Sequence, residues 1–265
     1  MLSILLCIAG CTKGEEDPIE MTLHPHFSIT MNELEHLIED LPPDIRLNIL
    51  SRPEYFLQLT REILTLPEET FYLVDKEHAL AADYIPEDLV PLDSYSLTIN
   101  RANLELRAFI MPDVLAMAEA ARQEGIDFVF SSAYRSYAYQ KKVYERNVGV
   151  LGKEQADRES AQPGKSQHQL GTAIDFGSIT DEFADHPAGI WLAEHAWEYG
   201  FSLSYPEGME ELTGYRYESW HFRHISRKGT EMEREFFSGI QQYFLHFLQQ
   251  HRETLSGFLT DSAVS

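Results

Sequence analysis

The chain has 265 residues, enough for one well-packed core with an appended subdomain, and its 43% hydrophobic and 24% charged residues are ordinary for a globular protein. Its formal net charge of -22 argues against nucleic acid as a partner, because neutralising phosphates takes an excess of Lys and Arg. The charge is uneven: residues 1–95 carry 19 acidic against 5 basic side chains, whereas residues 131–165 carry 7 basic against 4 acidic, so an anionic ligand group would be sought near the second stretch.

The chain opens "MLSILLCIAGCTKGEED", an apolar run that turns abruptly polar. A run of about ten residues is too short to span a bilayer, which takes roughly 20, but it suits the apolar region of an export signal. Ile8-Ala9-Gly10-Cys11 resembles a bacterial lipobox, so residues 1–10 are expected to be a lipoprotein signal peptide and Cys11 the lipidated residue, placing the protein on a membrane in the cell envelope. Cleavage there would discard Cys7 and leave one cysteine, with no disulfide. Residues 11–29, rich in Glu, Asp, Thr and Pro, read as a tether with little order.

Thr30 and Glu33 then form a capping box ahead of Leu34, Leu37, Ile38 and Leu41 at helical spacing. Pro42-Pro43 ends that helix, and a second periodic segment runs to Leu66 with an interruption at Pro53. Residues 30–66 are thus expected to be a helical extension packed on a main domain at 67–228. Within that domain, "FYLVD" reads as a short strand followed by a proline-punctuated arm, and "MPDVLAMAEAARQEG" as a helix stopped by Gly125. "IDFVFSSAYRS" reads as a buried strand, "YAYQKKVYERNVG" as a helix and residues 149–165 as a polar loop. "TAIDFGS", "FSLSY" and the segment around Trp220 are further strand candidates, with a helix from Ile190 to Tyr199 among them. In the tail, Thr230 and Glu233 suggest another capping box, and Phe236, Ile240, Phe244, Phe247 and Leu248 an apolar stripe, so residues 229–265 are expected to be one amphipathic helix. No βαβ rhythm or Gly-rich nucleotide loop is present, which favours an α+β fold over a doubly wound sheet.

Chemistry concentrates in "SQHQLGTAIDF" and "YESWHFRHI". His168, Asp175 and His221 offer two imidazoles and a carboxylate, and three such ligands with an open fourth position make a catalytic zinc site. Glu218, three residues before His221, is a carboxylate outside that ligand set. Strand residues seven or three apart point to opposite faces, so both pairs need a bend, and spacing alone does not establish the site.

"SQHQLGTAID" and "YESWHFR" together resemble the paired S-x-H-x-x-G-x-A-x-D and E-P-W-H-x-R signatures of VanY-type D-alanyl-D-alanine carboxypeptidases, zinc peptidases of the bacterial cell wall that include L,D-carboxypeptidases. The resemblance runs from about Phe71 to Ile225 and takes in "SAYRSYAYQ" and "EYGFSLSYPEG". It implies a small, mostly antiparallel sheet flanked by helices, the zinc D,D-peptidase or hedgehog-like α+β fold, with helical extensions at both ends. It implies one zinc ion on His168, Asp175 and His221, with Glu218 as catalytic glutamate and Arg135 as a substrate-contacting arginine. Ser166 and Gln140 match positions that help hold the substrate, a peptidoglycan stem peptide losing its C-terminal D-alanine. Ser219 departs from the pattern, standing where the family usually has proline. An endopeptidase acting on cross-links and a cell-wall-binding module without activity are the other readings.

Overall fold

A computed structural model of the chain describes residues 21–260. The expected signal peptide, Cys11 and the start of the tether lie outside the described residues. The rest of the expected tether is packed at its C-terminal end. Phe27 and Ile29 are fully buried, and Phe27 bridges to Leu259 near the other end of the chain. Apolar side chains among the polar ones are enough to fix this segment against the helices behind it.

The first three helices follow from their caps and prolines. α1 (Met31–Leu37) carries the capping box: the Thr30 hydroxyl accepts from the Glu33 N–H, and the Glu33 carboxylate accepts from the Thr30 N–H at 2.8 Å. Prolines open α2 (Pro43–Ser51) and α3 (Pro53–Leu64), where the first turn has no use for their missing N–H. Beyond them the expected strand at "FYLVD" is absent. Glu68–Phe71 is a 3₁₀ turn, and Leu73 and Val74 continue as buried chain without a ladder partner. Side-chain burial holds this segment, not sheet hydrogen bonding.

β1 (Leu89–Pro91), β2 (Thr98–Ile99) and β3 (Glu105–Arg107) precede α4 (Met111–Gln123). β4 (Val129–Ser132) leads to α5 (Tyr137–Leu151), capped by the Ser136 hydroxyl. The expected loop at 149–165 contains a helix, α6 (Lys153–Glu159), set off from α5 by Gly152 at φ +80°. Its polar composition hides helix-stabilising spacing: Lys153 reaches Asp157 at 2.5 Å, four residues on. β5 (Ala173–Phe176), α7 (Pro187–His195), β6 (Phe201–Leu203), α8 (Glu210–Thr213) and β7 (His221–His224) complete the domain. α7 starts earlier than Ile190 and passes into a 3₁₀ turn at Ala196–Tyr199.

The tail is two helices, α9 (Arg227–Phe236) and α10 (Gln241–Gly257), rather than one. Ser238 and Gly239, both at positive φ, break it. Ser226 caps α9, its hydroxyl accepting from the Gly229 N–H at 3.0 Å, so the expected cap pair at Thr230 and Glu233 lies inside the helix. There the Thr230 hydroxyl donates to the Trp197 carbonyl and Glu233 accepts from Ser202.

One sheet runs in the order β2-β4-β5-β7-β6, antiparallel at every step except β2–β4. β1 and β3 pair separately. Ile174, Phe176 and Phe222 face one hydrophobic core with Trp191 and Leu192 of α7 and Val114 and Met117 of α4. The two terminal helical segments share a second core, in which Phe56 of α3 meets Phe236 of α9 and Phe247 of α10 edge-on. Alternation along β5 and β7 puts Ala173, Asp175, His221 and Arg223 on the side away from the first core.

Between β6 and the second core sits a carboxyl group that makes no ion pair among the described residues. Glu233 is buried, accepts a 2.9 Å hydrogen bond from Ser202, and is pushed up to about 8 by burial. The folded chain therefore keeps a proton that the unfolded chain has released between the ordinary glutamate range and pH 8, so this group lowers stability as pH rises through that window. The Glu233→Gln variant is expected to lose less stability between pH 5 and pH 8 than the parent in urea unfolding. The difference in slope should be at most about 1.4 kcal/mol per pH unit. Identical slopes would show that Glu233 is ionised in the fold.

Candidate metal centre and active site

The bend that His168 and Asp175 need is made by a 3₁₀ turn, Gln167–Leu170, ended by Gly171 in the left-handed region at φ 72°. A side chain there would also be crowded, since a Cβ on Gly171 would come within 3.0 Å of Arg107 Cγ. A second turn, in which His221 N–H donates to the Glu218 carbonyl at 3.2 Å, leads Glu218 into β7. The antiparallel register then sets Asp175 directly opposite His221.

His168, Asp175 and His221 are all buried, and one ligand atom from each lies within 4.8 Å of the others. The outward ring nitrogens are already engaged. His168 Nδ1 lies 2.8 Å from the Ala133 carbonyl, and His221 Nε2 lies 3.1 Å from Gln167 Oε1. That leaves His168 Nε2 and His221 Nδ1 facing the carboxylate, at 3.2 Å and 2.9 Å from Asp175 oxygens. Two imidazole nitrogens and one carboxylate oxygen, each backed by an outward hydrogen bond, fit a borderline-soft divalent ion.

Arg135, just beyond β4, reaches the same carboxylate: Nη2 donates to Asp175 at 2.6 Å and Nε to Ser132 at 2.8 Å. Burial, the largest influence on Asp175, opposes its charge, but His168 and Arg135 outweigh it and hold the carboxyl well below the usual range. Burial, with the Arg135 charge behind it, pushes His168 down to about 4, so its ring is a neutral lone-pair donor. Glu218 stands 3.9 Å from His221 Nδ1. Burial first, then the negative charge of Asp175, pushes it up to about 8. Its backbone is fixed on both sides, by Glu218 N–H to the Tyr205 carbonyl at 3.1 Å and by the turn to His221. Serine at 219 therefore does not leave Glu218 loosely held.

These groups line a cleft of about 180 Å³ that also contains Ser166 and Gln140. Gln140 donates to the Ala161 carbonyl at 2.7 Å, and its buried Oε1 has no hydrogen-bond partner among the described residues. Ser166 is buried at the start of the His168 turn. Trp220 packs into the first core next to His221. His224, on the core side of β7, is tied to Asp113 at 3.0 Å and takes no part in the cleft. Sequence reading missed Gln167, although it sits inside the quoted motif beside His168, and Tyr205, whose ring lies 4.9 Å from that of His221. An uncharged amide and one more tyrosine carry no distinctive signal.

Comparison with known proteins agrees with this geometry. The sequence model of the VanY family, described as D-alanyl-D-alanine carboxypeptidase, matches residues 103–227. YodJ of Bacillus subtilis (strain 168) is 32% identical over 190 residues, covering 69% of this chain and 70% of its own. A D-alanyl-D-alanine carboxypeptidase of Enterococcus faecium is 28% identical over 199 residues, covering 71% of this chain and 63% of its own. Among solved structures, the LdcB LD-carboxypeptidase superposes with a TM-score of 0.60 at 29% identity, covering 66% of this chain and 84% of that one. The chain belongs to the VanY family of D-alanyl-D-alanine carboxypeptidases.

Proposed function

We propose that this protein is an exported, lipid-anchored zinc carboxypeptidase that removes the C-terminal D-alanine from peptidoglycan stem peptides, as a D,D- or L,D-carboxypeptidase. The observation that carries this reading is the convergence of His168 Nε2, Asp175 and His221 Nδ1 with the Glu218 carboxyl beside them. A zinc ion held by His168, Asp175 and His221 would supply Lewis-acid chemistry, activating a water and polarising a carbonyl. Glu218 then takes the proton of the attacking water and passes it to the leaving amine. Burial and Asp175 favour the protonated form of Glu218, and a cation held by the three ligands would favour its charged form.

Arg135 supplies positive charge at the floor of an acidic protein's cleft. Two of its N–H groups hold Asp175 and Ser132, and the remaining fork is suited to the substrate's carboxylate or the developing oxyanion. Gln140 Oε1 and Ser166 are assigned to holding the peptide. Cys11 is assigned the lipid that keeps the enzyme at the membrane.

Glu218→Ala should keep one zinc ion and lose about 10²–10⁴-fold in turnover, whereas His221→Ala should lose the metal and with it the thermal stabilisation that zinc gives the parent. Zinc content by atomic absorption with full turnover in Glu218→Ala would remove this glutamate from the mechanism.

A stem peptide with a free C-terminus should be cut, and the same peptide amidated should not. A charge-assisted hydrogen bond contributes about 1.5–3 kcal/mol, so Arg135→Ala should cost roughly ten- to a hundredfold in kcat/KM on the free acid. Zinc content of that variant separates a lost substrate contact from a disturbed Asp175. Equal cleavage of acid and amide would point to an endopeptidase.

Cys11→Ser should abolish lipid labelling in cells and release the protein from the membrane fraction. Retention of labelled protein in that variant would overturn the anchor.

A further inference from the structure

The ring of His221 is held from behind by a chain of amides that ends outside the region matched by the family. His221 Nε2 meets Gln167 Oε1 at 3.1 Å, and the Ser204 hydroxyl donates to the same oxygen at 2.7 Å. Gln167 Nε2 donates in turn to Gln241 Oε1 at 3.2 Å. Gln241, the first residue of α10, donates from Nε2 to the Ser202 carbonyl on β6 at 3.4 Å. All four side chains are buried. The direction of this chain is fixed by its far end, because a backbone carbonyl only accepts. Gln241 must turn its NH₂ to Ser202 and its oxygen to Gln167. Gln167 must then turn its own NH₂ to Gln241 and its oxygen to His221, so a proton on His221 Nε2 is held there, and Nδ1, 2.9 Å from Asp175 Oδ1, is the nitrogen left for a metal to take. With Gln167 reversed, the ring would keep its proton on Nδ1, where a metal has to bind.

We infer that Gln241 is a positioning residue for the active site, acting through Gln167 to select the metal-binding tautomer of His221, so that α10 is a working part of the enzyme. This rests on the reading of His168, Asp175 and His221 as metal ligands. Loss of a partner behind a metal ligand typically costs 10–100-fold in metal affinity.

The test uses the full chain with Gln241→Ala, Gln241→Met, which keeps bulk without the hydrogen bonds, Gln167→Ala and the Gln167→Ala/Gln241→Ala double variant. Gln242→Ala is the control, since that neighbour on the same helix turns to Asp75 at 2.7 Å instead. Zinc affinity is measured by chelator competition, and the His221 Nε2–H by ¹⁵N–¹H spectra of the metal-free protein. The Gln241 variants should bind zinc roughly ten- to a hundredfold more weakly and show a weakened His221 Nε2–H signal. Gln242→Ala should match the parent in both. The second substitution should add little once Gln167 is gone. Parent-like affinity and Nε2–H signal in Gln241→Met would overturn the inference, as would an equal loss in Gln242→Ala, which would mark a general loosening of α10. Should the parent bind no zinc, the proposed function falls, and the His221 Nε2–H signal of the metal-free variants still decides the role of Gln241.

Discussion

The antiparallel pairing of β5 with β7 is the constraint on which the site depends. It places Asp175 opposite His221, and the sheet's alternation turns both away from the core that Ile174, Phe176 and Phe222 occupy. A slip of one residue would bury the carboxylate among phenylalanines and expose them to the cleft, so hydrophobic burial enforces the register that the chemistry requires. His168 joins them through a turn that only Gly171 closes comfortably, and Arg135 enters from β4 on the other side of β5.

Charge arrangement in the cleft follows from this packing. Arg135 and the buried Asp175 are locked together, and Glu218 makes no ion pair with an Arg or Lys among the described residues. A buried carboxyl beside another carboxylate favours its proton, as the upward displacement of Glu218 reflects. Adding positive charge between them relieves both. The preference of the site for a divalent cation can therefore be argued from electrostatics as well as from donor types.

Much of this was legible because it is local. His168, Gly171 and Asp175 fall within eight residues, Glu218 and His221 within four, and residue type suggested the chemistry before any geometry existed. The Thr30 capping box was equally visible, since both partners lie in one turn. Long-range dependence is what the sequence concealed. "FYLVD" has strand composition, but whether a buried extended segment finds a ladder partner depends on elements far away. α6 is polar on most of its surface and its helical character rests on pairs four residues apart. The tail stripe is continuous through Ile240, so the break at Ser238 and Gly239 could not be read from apolar spacing. Gln241 looks like any surface glutamine until β6 is known to lie beside it.

The sheet lies between two hydrophobic cores, and its side away from the first is polar. Ser202, Ser204, Arg223, Glu233 and Gln241 form a seam where sheet meets terminal helices. It is imperfectly matched: Arg223 is fully buried and donates to the Thr70 carbonyl at 3.2 Å, and among the described residues it has no carboxylate partner and two of its nitrogens lack a hydrogen bond. Such a seam adheres less firmly than the apolar layers on either side of it. Its contacts are hydrogen bonds of fixed direction, so the seam sets how α9 and α10 sit against β6 more than how firmly they adhere. The helices beyond the matched region thus meet the sheet through particular pairs, Glu233 with Ser202 and Gln241 with Ser204, and a change in either helix is felt at the strand beside it.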